Sequence, residues 1–170
     1  RCKMAKQIVT DLSERSLREA ARQIESYKND VIKKCWTFAE RLADKGIEIA
    51  GIKISEHHAV YTGELLASMK KTPGLVLKYG GSYIVYTDCP WAQYVEFGTG
   101  IVGKNNPHPN KSIVGWEYDV NNHGEAGWWY YRDGKRHWTK GMPSRPFMYE
   151  TDVELIMEIA KIAKEVFGNG

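Results

Sequence analysis

The stretch Cys89-Pro90-Trp91-Ala92-Gln93-Tyr94-Val95-Glu96-Phe97-Gly98-Thr99-Gly100 decides how this chain is read. It sets aromatic residues and a carboxylate beside glycines, which accept backbone angles closed to other residues. Upstream lie a long helical pattern and a hairpin pattern. Downstream lies a glycine- and tryptophan-rich excursion that returns to a closing helix. The continuation Gly98-Thr99-Gly100-Ile101-Val102-Gly103 spells G-x-G-x-x-G, which raises the question of a dinucleotide site. That fingerprint needs a strand before it and a helix after it, because the helix N-terminus holds the pyrophosphate. Here Trp91, Tyr94 and Val95 fall at helical spacing, and Lys104-Asn105-Asn106-Pro107-His108-Pro109-Asn110 cannot open a helix packed on a sheet. The glycines are therefore read as a scaffold corner.

At 170 residues the chain is long enough for one domain with a real core, and it is read as a single domain over 1–170, with 103–140 as an inserted loop and hairpin. Hydrophobic residues make up 42% and charged residues 26%, ordinary globular usage. A formal charge of +3 does not demand a nucleic-acid partner, which calls for a concentrated basic face. Six tryptophans and ten tyrosines, concentrated between Tyr79 and Trp138, suit buried interfaces. Cys2, Cys35 and Cys89 form no C-x-x-C pair, so no zinc knuckle or redox dithiol is expected and a reducing compartment fits. No apolar run reaches the ~18 residues of a membrane span, and no signal peptide is read. Residues 1–10, which begin at Arg1, carry little weight.

From about Ser13 the pattern is helical. Leu17, Ile24, Val31 and Phe38 recur every seven residues, with Ala21, Cys35 and Leu42 four further on, which predicts a helix of roughly thirty residues. Ser13 or Ser16 serves as N-cap, and Ser16 with Glu19 fits a capping box. The stripe reads either as a coiled-coil seam or as the face of a helix lying across a sheet; Lys28 interrupts it. Asp44-Lys45-Gly46 is a candidate left-handed stop. Ile47–Ile54 is ambiguous, with helix expected through about Ala50, and His57-His58 reads as a solvated loop rather than a metal site.

Tyr61-Thr62-Gly63-Glu64-Leu65-Leu66-Ala67-Ser68-Met69 reads as a turn and a short apolar segment. Leu75–Tyr79, a Gly80-Gly81 turn and Ser82–Thr87 form a predicted hairpin. Gly103–Ser112 reads as a mobile, exposed polar loop. A second hairpin turns at Asp133-Gly134, pairing Arg132 with Lys135, Tyr131 with Arg136 and Trp129 with Trp138. Its basic tip and aromatic flanks also suit stacking of single-stranded nucleic acid; the plainer alternative is a self-packed hairpin. Gly141–Met148 is extended, since two prolines forbid a helix across it. A final helix places Met148, Val153, Ile156, Ile159, Ala163 and Val166 on one side, with Gly168 as its stop.

No nucleophile motif, H-E-x-x-H or Walker lysine is present, so no catalysis, no cofactor and no metal are expected. Glu96, between Val95 and Phe97, is expected to be a buried carboxylate bonding amides of the glycine turn.

Three phrases occur in a recognisable order. Tyr61-Thr62-Gly63-Glu64-Leu65-Leu66-Ala67-Ser68-Met69 resembles D-T-G-R-L-R-x-S-I. Trp91-Ala92-Gln93-Tyr94-Val95-Glu96-Phe97-Gly98-Thr99-Gly100 resembles Y-A-x-Y-V-E-F-G-T-G, and Arg145-Pro146-Phe147-Met148 resembles x-P-F-M at the start of a closing helix. Together they resemble the tailed-phage neck and tail-completion (head–tail joining) proteins, over about Leu17 to Phe167. The chain departs from that pattern in lacking a proline before Thr62-Gly63 and in its long aromatic insert Ile113–Trp138. The resemblance implies an α+β fold with a long N-terminal helix and a C-terminal helix packed on an antiparallel β-sheet. It also implies a structural, ring-forming component of the virion head–tail junction, assembled in the bacterial host cytoplasm. Partners would be copies of the chain and adjacent connector or tail proteins, with no membrane and no small-molecule substrate. Thr62, Gly63, Leu65, Glu96, Phe97, Gly98, Thr99, Pro146 and Phe147 are the candidate subunit-facing or fold-fixing residues. Loop Gly103–Ser112 and the tip residues Arg132, Lys135 and Arg136 are candidates for contact with a neighbouring ring or, weakly, with DNA in a lumen. A module binding single-stranded nucleic acid through Trp128–Trp138 is the alternative.

Overall fold

The computed structural model describes residues 8–60 and 62–168; Cys2 and Tyr61 lie outside them. The fold is α+β: α1 (Glu14–Glu56), α2 (Glu64–Ala67), β1 (Met69–Leu77), β2 (Gly80–Thr87), α3 (Ala92–Phe97), α4 (Gly100–Asn105), β3 (Trp128–Arg132), β4 (Lys135–Thr139) and α5 (Phe147–Phe167). The strands form two separate two-stranded antiparallel sheets, β1-β2 and β3-β4. The chain makes two compact units. One comprises the described parts of Arg1–Asp44, Thr72–Ile84 and Met157–Gly170; the other comprises Lys45–Lys71 and Val85–Ile156.

In the first unit α1 begins at a Ser13 cap, whose Oγ accepts the Ser16 amide at 3.3 Å. The hairpin seats on the helix at Cys35 and Trp36. Trp36 meets Tyr83 edge-on with centroids 6.2 Å apart, and Phe38 meets Phe167 at 5.8 Å. The turn of this hairpin is Lys78-Tyr79, not the Gly80-Gly81 pair expected from the sequence. Those glycines lie in β2 for want of space: a Cβ on Gly81 would fall 2.0 Å from the Trp36 ring, and one on Gly80 would fall 3.1 Å from Cys35 Cβ. The Gly-Gly signal belongs to a helix–strand contact.

The 43-residue α1 runs well past the expected stop at Gly46. Gly46 is buried in the helix interior, and the residues beyond it are needed by the core of the second unit, where Ile49, Ala50 and Ile54 have no exposed surface. The helix ends instead at Glu56 and is closed by His58, which has φ 50; its amide reaches Ser55 O at 3.0 Å while the Ala59 amide reaches Ile54 O at 2.9 Å. That pair of bonds is a Schellman ending, with a histidine in the place glycine usually takes. His57 is no simple solvated residue either, since its Nε2 lies 3.0 Å from Glu150 Oε2.

The second unit's core gathers Ala50, Ile54, Leu65, Met69, Cys89, Ala92, Val95 and Phe147. On α5 the stripe read on one side of the helix is not its buried side. Phe147, Thr151 and Ile162 are the buried positions, whereas Val153 is 47% and Ile156 61% exposed. This helix carries apolar residues on both sides, so spacing alone cannot choose the inward one. The β3-β4 register is the expected one, with Arg132 opposite Lys135, Tyr131 opposite Arg136 and Trp129 opposite Trp138.

Candidate functional site

The E-F-G-T-G phrase folds into a corner held by residues far away in sequence. Helix α3 brings Val95 and Glu96 inward, and Gly98 ends it with φ 79. A side chain there has no space, because a Cβ would stand 2.6 Å from the Ser144 amide nitrogen and 2.8 Å from Met142 O. The backbone past the turn pairs with the segment before α5: the Thr99 amide donates to Met142 O at 2.9 Å, and the Met142 amide donates back to Thr99 O at 3.1 Å. The Arg145 amide donates to Val95 O at 2.9 Å, and Ser144 Oγ donates to Glu96 O at 2.5 Å. The element leading into the glycines is helix α3 rather than a strand, and the helix that follows spans only Gly100–Asn105, so the glycines do not sit in the strand–turn–helix setting a dinucleotide fingerprint needs.

Glu96 is 6% exposed and is the hub of the corner. Its Oε2 accepts the Met148 amide at 2.9 Å, and its Oε1 accepts the Tyr149 amide at 3.1 Å. The expected bonds to the glycine turn are thus replaced by bonds to the first turn of α5. Those amides have no partner inside their own helix, and a carboxylate is the favoured group at a helix N-terminus. The third bond is His108 Nε2 to Glu96 Oε1 at 3.0 Å. The Asn110 amide donates to His108 Nδ1 at 3.1 Å, which leaves Nε2 as the nitrogen that carries the proton.

His108 corrects the expectation of a mobile polar loop. The first part of Gly103–Ser112 is helical, Gly103 is buried, and His108 is 8% exposed beneath Phe97 at 5.1 Å and Tyr149 at 5.3 Å. Trp116 closes the aromatic wall, 5.0 Å from Phe97 and 5.8 Å from Tyr94, with its Nε1 donating to Gly98 O at 3.0 Å. His108, Ser144 and Trp116 carried no local sequence signal, since the contacts that fix each of them to the corner come from residues far along the chain.

The candidate residues sort by place. Glu96, Phe97, Gly98 and Thr99 form the corner; Pro146 and Phe147 begin the helix it caps. Leu65 and Phe147 share one core, 4% and 1% exposed. Gly63, with φ 76, precedes α2, and the exposed Thr62 accepts the Glu64 amide on Oγ1 at 3.3 Å. Arg132, Lys135 and Arg136 stand apart from this group at the exposed tip of β3-β4, whose turn residues Asp133 and Gly134 have φ 51 and 71.

That hairpin has two unlike faces. Trp128 faces inward, stacked on His123 at 4.4 Å and packed so close that a Cβ on Gly100 would lie 2.9 Å from its ring. His123 belongs to a knot around Asp119, whose carboxylate is held below its ordinary value by the backbone amides of His123 and Gly124. Outward stand Trp129, Tyr131 and Trp138, 53%, 73% and 47% exposed. Trp129 meets Trp138 edge-on at 5.2 Å, and the Arg136 guanidinium lies 4.6 Å over the Trp129 ring. Among the described residues no group of three or more His, Cys, Asp or Glu side chains is placed to hold a metal ion, and no helix is long and apolar enough to cross a membrane. Comparison with protein-family models, curated proteins and solved structures finds no match to this chain.

Proposed function

We propose that this chain is a structural virion-assembly protein of a tailed-phage head–tail junction, a neck or tail-completion subunit that works without catalysis as part of an oligomeric ring. One observation carries the reading. Two of the phrases that resemble that family, Trp91–Gly100 and Arg145–Met148, converge on one corner where Glu96 holds the start of α5. A ring subunit needs such a corner, because each interface must be presented at a repeatable angle for the ring to close. The generous exposure of large apolar side chains, Leu75 at 74% and Val76 at 79% among them, supports association with sister copies.

The alternative, a single-stranded nucleic-acid module, draws on the exposed Tyr131 and the basic tip. It is the weaker reading because Arg136 covers a face of Trp129 that a base would need. Negative-stain electron microscopy of the purified protein, paired with a single-stranded DNA titration at low and high salt, separates the two. Closed rings and weak DNA binding are expected. Tight, steeply salt-dependent binding that is lost in Trp129→Ala and Arg136→Ala, without rings, would overturn the assembly role.

A further inference from the structure

We propose that the N-terminal half of α1 is a self-association element, pairing as a short coiled coil with the same helix of a second copy. From Glu14 to Asp30 no residue is buried, although Leu17, Ile24 and Tyr27 are large and apolar. They are 47%, 58% and 63% exposed. The line they begin is covered further along the same helix, where Cys35 and Trp36 seat the β1-β2 hairpin and Phe38 meets Phe167. The hairpin stops; the apolar line does not. A bare helix of this length is marginal in water, so an uncovered stripe on it calls for a partner.

The spacing says what shape the partner has. Leu17, Ile24 and Val31 repeat every seven residues, with Ala20 and Tyr27 between them, a narrow seam matched by another α-helix rather than by a sheet. The same chain supplies such a helix. Laid parallel and in register over the uncovered stretch Glu14–Asp30, two copies place Ser16 across from Ala21 and Gln23 across from Lys28, so no like charges face each other beside the seam there. Several charges of this stretch are paired along the helix itself: Arg18 with Glu14, Arg22 with Glu19 at 3.9 Å, and Lys28 with Glu25 at 2.9 Å. Lys28 falls at a flanking position and does not block the seam.

This rests on the reading of the chain as a self-assembling subunit, and names the surface. Sedimentation of the full-length protein over a range of concentrations tests it, using Leu17→Asp with Ile24→Asp. The comparison variant, Ser26→Asp with Asn29→Asp, adds the same charge on the opposite, exposed side of the helix. Concentration-dependent association of the wild type is expected, weakened about tenfold or more by the first pair and much less by the second. Far-ultraviolet circular dichroism checks that both variants are folded. A wild type that stays monomeric, or equal weakening by both pairs, overturns the proposal. Rings that form unchanged in the Leu17→Asp/Ile24→Asp variant would sink the helix contact and leave the ring reading standing; helix-dependent association without any ring would do the reverse.

Discussion

Glu96 shows how much of this fold hangs on one carboxylate. It satisfies two amides at the start of α5 and the His108 imidazole, all shielded from water. Replacing it by alanine strands three donors at once, so Glu96→Ala is expected to destabilise the protein by about 2–4 kcal/mol. Glu96→Gln should fall between, since an amide oxygen can accept one of these protons while its NH2 group meets donors. Urea unfolding checks both; a loss below about 0.5 kcal/mol for Glu96→Ala would mean the carboxylate is not the strut described here. The burial of Glu96 was legible in the sequence from its apolar neighbours, but its partners were not. Met148 and Tyr149 are 52 and 53 positions away, and the amides of a helix start look the same in any sequence.

Among the elements, the glycines separate what periodicity reveals from what packing decides. Gly46 looked like a helix stop and is an interior residue; Gly80-Gly81 looked like a turn and is a seat for an aromatic ring. The two cases predict opposite responses to alanine. A Cβ at Gly46 would meet only Val85 Cγ2 at 3.4 Å and Leu155 Cδ2 at 3.6 Å, ordinary contact distances. Gly46→Ala is therefore expected to leave stability unchanged or raise it, by up to about 1 kcal/mol, through better helix propensity. Gly81→Ala drives a methyl into Trp36 and should cost about 1–3 kcal/mol. Thermal unfolding of the two variants side by side is the check, and a Gly81→Ala protein as stable as the wild type would contradict the tight seat. The second hairpin was read correctly down to its register because Asp133-Gly134 is a strong local turn signal and a two-residue turn leaves one pairing. The first offered two glycines whose role was not local.

For the molecule as a whole, stability should follow pH through ion pairs that tie separated segments together. The Lys53 ammonium bonds Glu154 and Glu56, each at 3.0 Å, and is pushed up to about 12 from 10.5, first by the bond to Glu154 and then by that to Glu56. Because folding raises this value, the pair's contribution is complete below 10.5 and fades as pH rises towards 12. Lys53→Gln should flatten that alkaline decline in a melting-temperature profile; an unchanged profile would show that the link to Glu154 contributes nothing. Asp119 works in the other direction: its lowered value gives stability that is present above 3.8 and lost as pH falls through its folded value. The amino-acid sequence by itself determined the long leading helix, the closing helix, the β3-β4 pairing and the close backbone corner at Gly98, because each is written in residues within a few positions of one another. Only the tertiary structure decided where α1 ends, which side of α5 turns inward, why Gly81 has no side chain, and that His108 locks Glu96. Those outcomes depend on which surfaces exclude water together, and partners many residues apart leave no trace in local spacing.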